Sequence, residues 1–363
     1  MSRISLEELK SIFAAHHKWL KTGVGEPANF KDKNLEGLKL YNLDMRKMDF
    51  SNCNLKDCHM AGSDITNCNF YAANLTGAKM YDVEAGGCDF TKAILKGTKL
   101  NGAKLNRSKF VEARLEDADL SNTDLRWSDF TGAALERIDL HGAILSNVAL
   151  RNLDMKDMDL SDMNLQNADF TNSNLNRVDF TNSDLSNSIL NEQDLSLTIF
   201  NGAIMSHANL HNTNMSMIDL SGVDLTAADL KGSKLIGANI SKTIVRKTKF
   251  YNCDLSESNL SGNSFHGSDF HNSVMENVEA TNSDFTDSNL SRIKIRNCNF
   301  VKSNLENINA MEGEFVNVNF SLSDMSYADF SRSLISNCSF NHSITKNTRF
   351  NGAVLENVEG LDD

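Results

Sequence analysis

The chain has 363 residues, 40% of them hydrophobic, and a formal net charge of -12, which is too much apolar material for an intrinsically disordered chain. No stretch approaches the 18 uncharged apolar residues of a membrane-spanning helix, and the acidic balance disfavours direct contact with nucleic-acid phosphate. A single proline, Pro27, is too few breakers for the two or three loop-linked domains that the length suggests.

Ser5-Leu6-Glu7-Glu8 reads as a capping box that opens a helix. Leu6, Leu9, Phe13, His16 and Leu20 follow at spacings of three and four, with Ile12 and Trp19 alongside, giving one apolar stripe. Gly23, Gly25 and Pro27 end it. Residues 1–27 are therefore expected to form a helix and linker that plug the element after them; a partner-binding or targeting helix is the alternative. Met1 to Lys21 carry acids and lysines where a secretory signal would carry an apolar run.

From Phe30 the chain repeats every five residues. The frame Phe30, Leu35, Leu40, Met45, Phe50 and onward to Leu355 has (355 - 30)/5 + 1 = 66 positions, of which 62 are Leu, Ile, Met, Phe or Val. Ala85, Ala280, Ala310 and Thr345 are the exceptions; of twenty phenylalanines only Phe13 lies outside the frame. Two residues before each central position the chain is usually small, and one before it is commonly Asp or Asn. Two after, Asn or Gly fills 36 of the 66 positions, and these residues tolerate a left-handed backbone, so a recurring corner is expected.

A period of five matches neither a helix nor a strand. It matches a coil with sides of five residues, two of them pointing inward. Stepping by 20 from Phe30 meets Phe at eleven of 17 positions, including Phe50, Phe70, Phe90, Phe110, Phe130 and Phe170. These are the expected structural core, because stacked side chains share size and shape. A 20-residue turn with four sides follows.

Ala73-Asn74-Leu75-Thr76-Gly77, Ala118-Asp119-Leu120-Ser121-Asn122 and Ala208-Asn209-Leu210-His211-Asn212 carry a motif of the form A-[DN]-L-x-x that resembles the pentapeptide-repeat family. The resemblance covers residues 28 to about 358 and implies an all-β fold, a right-handed quadrilateral parallel β-helix. Sixty-six pentapeptides would make 66/4 = 16.5 coils, a rod of roughly 80 Å at about 4.8 Å per rung. The expected organisation is a capping segment over 1–27, one solenoid over 28–358 and an acidic tail over 359–363. Leu38, Leu43 and Met48, larger than later residues of that phase, suit a first coil under a plug. Leu9 to Phe30 also resembles the leader ahead of many bacterial and phage members. At the other end the last coil either pairs with a second copy, giving a homodimer, or frays as a simple tail.

No enzyme is expected. Cys53, Cys58, Cys68, Cys88, Cys253, Cys298 and Cys338 all fall in the small inward phase, as compact apolar filler; unpaired buried thiols favour a reducing compartment, here a bacterial cytoplasm. His59, His141, His207, His211, His266, His271 and His342 fall in outward phases, none in a ligand arrangement with a cysteine. Neither a Gly-rich phosphate loop nor a nucleophile elbow is present, so no catalytic, metal or cofactor residue is assigned.

A protein partner is the remaining expectation. Residues 1–100 carry 14 Lys and Arg against 12 Asp and Glu, whereas residues 141–240 carry 5 against 12 and residues 301–363 carry 4 against 9. In one column Lys39, His59, Lys79 and Lys99 give way to Asp119, Asp139, Asp159 and Asp179, then Ile199 and Asp219. Carboxylates one rung apart repel by about 0.9 kcal/mol even in water. The stripe is either what the motif favours at this phase or an acidic face for a basic groove. Leu197, Met217 and Ile236, with Ile199 nearby, form a candidate apolar contact, and Trp127 is a further outward residue. Ile138, Val148, Leu153, Met158 and Met163 enlarge the inward phase and predict a locally wider coil; Ala85, Ala280 and Ala310 predict irregularities. The resemblance also implies a role: quinolone-resistance and gyrase-inhibiting members are acidic rods that mimic duplex DNA and bind type II topoisomerases. Those rods join through C-terminal helical elements, and the resistance proteins carry projecting loops; this chain has neither. Other members are secreted bacterial effectors.

Overall fold

The computed structural model describes residues 4–361; the side chain of Leu6 and residues 362–363 of the expected tail lie outside the described residues. Two compact units are formed. The first runs to Met155 and includes Met163–Asn174; the second comprises Lys156–Asp162 and the chain from Leu175 onward.

The first unit opens with helix α1 (Leu6–Thr22). Ser5 caps it by accepting the Glu8 N–H at 3.1 Å, and Gly23, at φ 69°, ends it by donating to the Trp19 carbonyl. Of the reciprocal capping box, the Glu8 carboxylate is found on Lys33 Nζ at 3.1 Å. The helix lies on the first coil: Phe13 stands 5.9 Å from the Phe30 ring, and the Ile4 N–H reaches the Asn34 carbonyl at 3.4 Å.

Each position of the five-residue motif has one physical task, visible in the coil that starts at Phe30. The central N–H donates to a carbonyl of the following coil, as Phe30 does to Asp49 at 2.7 Å. The residue before the centre donates to the preceding coil, as Asp49 does to Ala28 at 3.1 Å. Two after the centre, Asp32 has φ 61° and donates to Ser51. Asn42, Asn52 and Gly62 repeat this left-handed corner, the conformation for which Asn and Gly carry the least steric penalty. Bridges such as Asn29↔Asp49, Asn34↔Asn54 and Asp49↔Asn69 are parallel and join each position to its equivalent one turn on. This is a quadrilateral parallel β-helix, and its backbone groups are satisfied without long strands.

Side chains complete the turn. The Asp or Asn before the centre accepts the N–H two residues later, as Asp49 does from Ser51 at 2.9 Å, an Asx turn. Inward Ser, Thr and Cys donate to a central carbonyl of the coil behind them: Cys53 Sγ to Phe30 at 2.7 Å, Ser63 Oγ to Leu40 at 2.8 Å and Thr98 Oγ1 to Leu75 at 2.8 Å. Alternation of Ala with these residues thus has a cause beyond size.

Phe30, Phe50, Phe70, Phe90, Phe110 and Phe130 stack as expected, with successive centroids 5.3, 5.1, 4.9, 5.0 and 4.7 Å apart and planes within 11°. Offset aromatic pairs contribute about 0.5–1.5 kcal/mol each beyond burial. Phe170 is buried in the same unit.

The second unit follows the same rules, with short strands along one side: β1 (Val274–Glu276), β2 (Lys294–Arg296), β3 (Glu314–Val316), β4 (Leu334–Ser336) and β5 (Val354–Glu356). They form one parallel sheet in that order, in a register that sets Met275 beside Ile295 and Ile295 beside Phe315. A corner of this unit carries an asparagine ladder, with Asn317 donating to Asn297 at 2.9 Å and Asn357 to Asn337 at 3.1 Å. Leu355, central by the frame, is 45% exposed.

Ala85, Ala280 and Ala310 do not interrupt the coil, contrary to expectation. All three are buried, and the bridges Glu84↔Lys104, Glu279↔Asn299 and Asn309↔Asp329 run through them. Each is followed five residues later by a phenylalanine, Phe90, Phe285 and Phe315. Phe285 lies 5.5 Å from Phe300 and Phe315 5.2 Å from Phe330, so near Ala280 and Ala310 a neighbouring side's ring fills the space that alanine leaves. Among the residues expected to widen a coil, Val148, Leu153 and Met163 are buried while Ile138 and Met158 are only half-buried.

Candidate functional site

The charged column exists as a ladder. Lys39, His59, Lys79, Lys99, Asp119 and Asp139 pair successively in the first unit, and Asp159, Asp179 and Ile199 in the second. Every aspartate of the set caps its own turn: Asp119, Asp139, Asp159, Asp179 and Asp219 accept the N–H of Ser121, His141, Ser161, Thr181 and Ser221 at 2.8–3.2 Å. One oxygen of each carboxylate is therefore committed to the backbone. At Asp219 the Ser221 N–H and hydroxyl, with the Asn239 amide, hold the carboxyl below its usual range. Asp139, Asp159 and Asp219 are exposed, Asp119 and Asp179 half-buried. Lys99 Nζ approaches Asp119 at 3.8 Å, where the column changes sign.

Two corner ion pairs were not anticipated from the sequence. Arg137 forks onto Asp117 at 2.6 and 3.0 Å, and Arg177 onto Asp157 at 2.5 and 2.8 Å, with hydrogen bonding from the guanidinium lowering each carboxyl. Opposite charges at the same corner of successive coils were the signal. Exposed pairs of this kind contribute little to stability.

The apolar candidates sit at corners of the coil. Leu197 is 56% exposed and Met217 77% exposed, at φ 61°. Met217 Sδ lies where a Cβ on Gly237 would stand. The Met217 N–H donates to the Ile236 carbonyl at 2.8 Å, which joins these two candidates, although the Ile236 side chain is half-buried. Trp127, in the first unit, is 60% exposed at φ 64°. A bulky residue held left-handed is uncommon.

A further cluster escaped sequence reasoning because its members come from adjacent columns. His59 lies between Tyr41 and Tyr81, 5.2 and 5.9 Å from their rings, with Nε2 3.1 Å from the Tyr81 hydroxyl. Lys39 and Lys79 flank it along the ladder.

The seven cysteines are free and buried. Burial pushes Cys53, Cys88 and Cys253 up to about 12 and Cys58 and Cys298 to about 11, so the thiolates needed for nucleophilic or metal chemistry are suppressed. Among the described residues no group of three His, Cys, Asp or Glu could hold a metal ion. The seven repeat histidines are exposed or half-buried.

The family described as pentapeptide repeats matches residues 28–57, 143–182, 179–216, 203–241, 245–277 and 288–341, and a related pentapeptide repeat region matches residues 86–158. No curated protein matches the sequence. Among solved structures, a pentapeptide repeat protein from the Arabidopsis thaliana thylakoid lumen is 29% identical over 28% of this chain and 70% of its own, with a TM-score of 0.27. HetL, a pentapeptide repeat protein involved in heterocyst differentiation regulation from the cyanobacterium Nostoc, is 22% identical over 73% and 96% of the two chains, with a TM-score of 0.24. QnrB1, a plasmid-mediated fluoroquinolone resistance protein, is 20% identical over 55% and 89%, with a TM-score of 0.28.

Proposed function

Because the chain belongs to the pentapeptide repeat family, we propose that it is a non-catalytic protein-interaction scaffold, acting in a reducing compartment such as a bacterial cytoplasm. The observation that carries this reading is the ladder register: each outward column offers one side chain per turn at a fixed interval. Such a surface presents charge with defined pitch and is suited to recognising an extended, complementary face. Exposed Asp139, with Asp119 beside it in the first unit, and exposed Asp159, with Asp179 beside it in the second, are the assigned partner contacts. Photo-crosslinkers at Ser161 and Thr181, with matched positions on another column of the second unit, should trap one protein from the acidic column only. Replacing Asp139, Asp159 and Asp179 together with Asn should then lower affinity for that protein at least tenfold. Unchanged affinity would remove the acidic column from the interface.

A second reading is favoured by the same carboxylates. One negative charge per turn approximates a charged polymer, and a basic groove of a type II topoisomerase is a partner of that chemistry. A gyrase supercoiling assay with and without quinolone decides it: no effect at micromolar protein rejects this reading and leaves the scaffold reading intact. Self-association through the exposed apolar residues near Leu355 is a separate proposal, rejected by a monomeric mass in light scattering at micromolar concentration.

A further inference from the structure

His16 faces the first coil from α1 and is fully buried. Its Nδ1 accepts the Ala28 N–H at 3.0 Å. An imidazole nitrogen that accepts carries no proton, so the ring is neutral with its hydrogen on Nε2, and Nε2 is itself buried without a hydrogen-bond partner. A second proton would have to go to Nδ1. There it would face the Ala28 N–H, replace an acceptor by a donor, and bring a charge into a buried site beside Trp19, 5.6 Å away ring to ring.

The groups around the ring do not offset that cost. Among the described residues Asp44 is the carboxylate that favours the imidazolium, but Arg46 holds it with two bonds at 2.9 and 2.8 Å. Burial is the largest influence and lowers the proton affinity of His16; His17 opposes a charge there, and Arg46 acts both ways, its backbone favouring the charged ring and its guanidinium opposing it. On the outer flank, Lys47 lies 6.0 Å over the Trp19 ring and Lys33 pairs with Glu8.

We propose that His16 is a pH-sensitive latch, holding α1 on the first coil while its imidazole is neutral and releasing the helix when it is protonated. The undocked chain takes up the proton more readily than the docked one. Docking is therefore full above the usual histidine value near 6.5 and weakens as pH falls below it, by up to about tenfold per pH unit until the docked ring also titrates. Release uncovers Phe30 and the Asn34 carbonyl, which are otherwise met by Phe13 and the Ile4 N–H. The first coil then presents an open edge able to accept another chain.

Hydrogen exchange on the full chain at pH 7.5 and 5.5, corrected for intrinsic rates, tests this. The Ala28 amide and those of α1 should lose about tenfold protection at pH 5.5, while amides of β1–β5 serve as an unchanged reference. His16→Gln, whose Oε1 accepts the Ala28 N–H but takes no proton, should abolish the difference. Constant protection in the wild type, or the same loss in His16→Gln, overturns the latch. If His16→Gln leaves α1 undocked at pH 7.5, the imidazole titration of the wild type by NMR decides. Protonation of His16 in step with the loss of protection supports the latch, and loss with His16 still neutral overturns it.

Discussion

Phe315 meets Phe330 at 5.2 Å with its ring turned 64° from parallel, leaning toward the room that Ala310 leaves on the adjoining side. Gly313 makes the lean feasible, since a Cβ there would stand 2.7 Å from Phe315 Cε2 and 3.1 Å from the Ala310 carbonyl oxygen. Gly313→Ala should cost about 1–3 kcal/mol through overpacking and Phe315→Ala about 3–5 kcal/mol through the cavity. In the Phe315→Ala background the penalty of Gly313→Ala should fall below about 1 kcal/mol, because the clashing ring is gone. A double-mutant cycle by urea unfolding measures the coupling; additive penalties would show that the ring and the glycine are independent.

The acidic ladder can be separated from its capping role. Asn keeps the oxygen that accepts the N–H two residues on, whereas Ala does not. Asp139→Asn should leave stability within about 0.5 kcal/mol, and Asp139→Ala should lose roughly 0.5–2 kcal/mol by analogy with lost helix caps. Thermal unfolding of the pair checks this. Equal losses would mean that the His141 N–H finds another acceptor.

Met217 occupies a corner at φ 61°, where a side chain with Cβ carries a steric cost that Asn tolerates better. Met217→Asn should raise stability by roughly 0.5–1 kcal/mol. If that surface also binds a partner, the same substitution weakens binding as it stabilises the fold. Denaturant midpoint and partner affinity, measured together, distinguish a corner tolerated for recognition from one that is merely suboptimal.

The buried thiols set an alkaline limit. Their proton affinity is higher in the folded chain than in the unfolded one, so the unfolded chain loses its thiol protons first as pH rises. Stability should be unaffected below about pH 8.5, the usual thiol value, and decline from there toward the folded values near 11–12. Midpoints between pH 7.5 and 10.5, compared with those of Cys88→Ser, which keeps an inward hydroxyl, should show a shallower alkaline decline in the variant. Native thiols should also resist iodoacetamide at pH 8 until the chain unfolds.

Much of this architecture can be read directly from residue order. The five- and twenty-residue periods specify coil, corners and stacked rings because one short turn is repeated with little change. The tasks behind the periods were less visible: that Asp precedes each centre to accept an N–H, and that Ser and Cys donate inward, emerge only once carbonyl positions are known. Ala280 and Ala310 predict irregularities only when each alanine is taken by itself, since Phe285 and Phe315 stand five residues away. His16 is the opposite case. Its helical spacing merged it with an apolar stripe, and nothing in that spacing revealed the Ala28 N–H beyond the end of the helix. Tyr41, His59 and Tyr81 belong to adjacent columns, so no single period collects them.

Inter-coil bonds that tie every position to fixed partners one turn away make this chain unequally tolerant of editing. Excising residues 71–90 would bring Phe110 onto Phe70 and restore every column of the first unit in phase. Removing only five of those residues keeps the local motif but puts the coils on either side of the cut a quarter turn out of register, setting phenylalanine over leucine at the junction. A pair that lies wholly beyond it, such as Asp117–Arg137, keeps its 20-residue spacing. Length in such a protein can change by whole coils at the cost of one coil's stability, while shorter losses leave the charge columns before and after the cut out of line with each other.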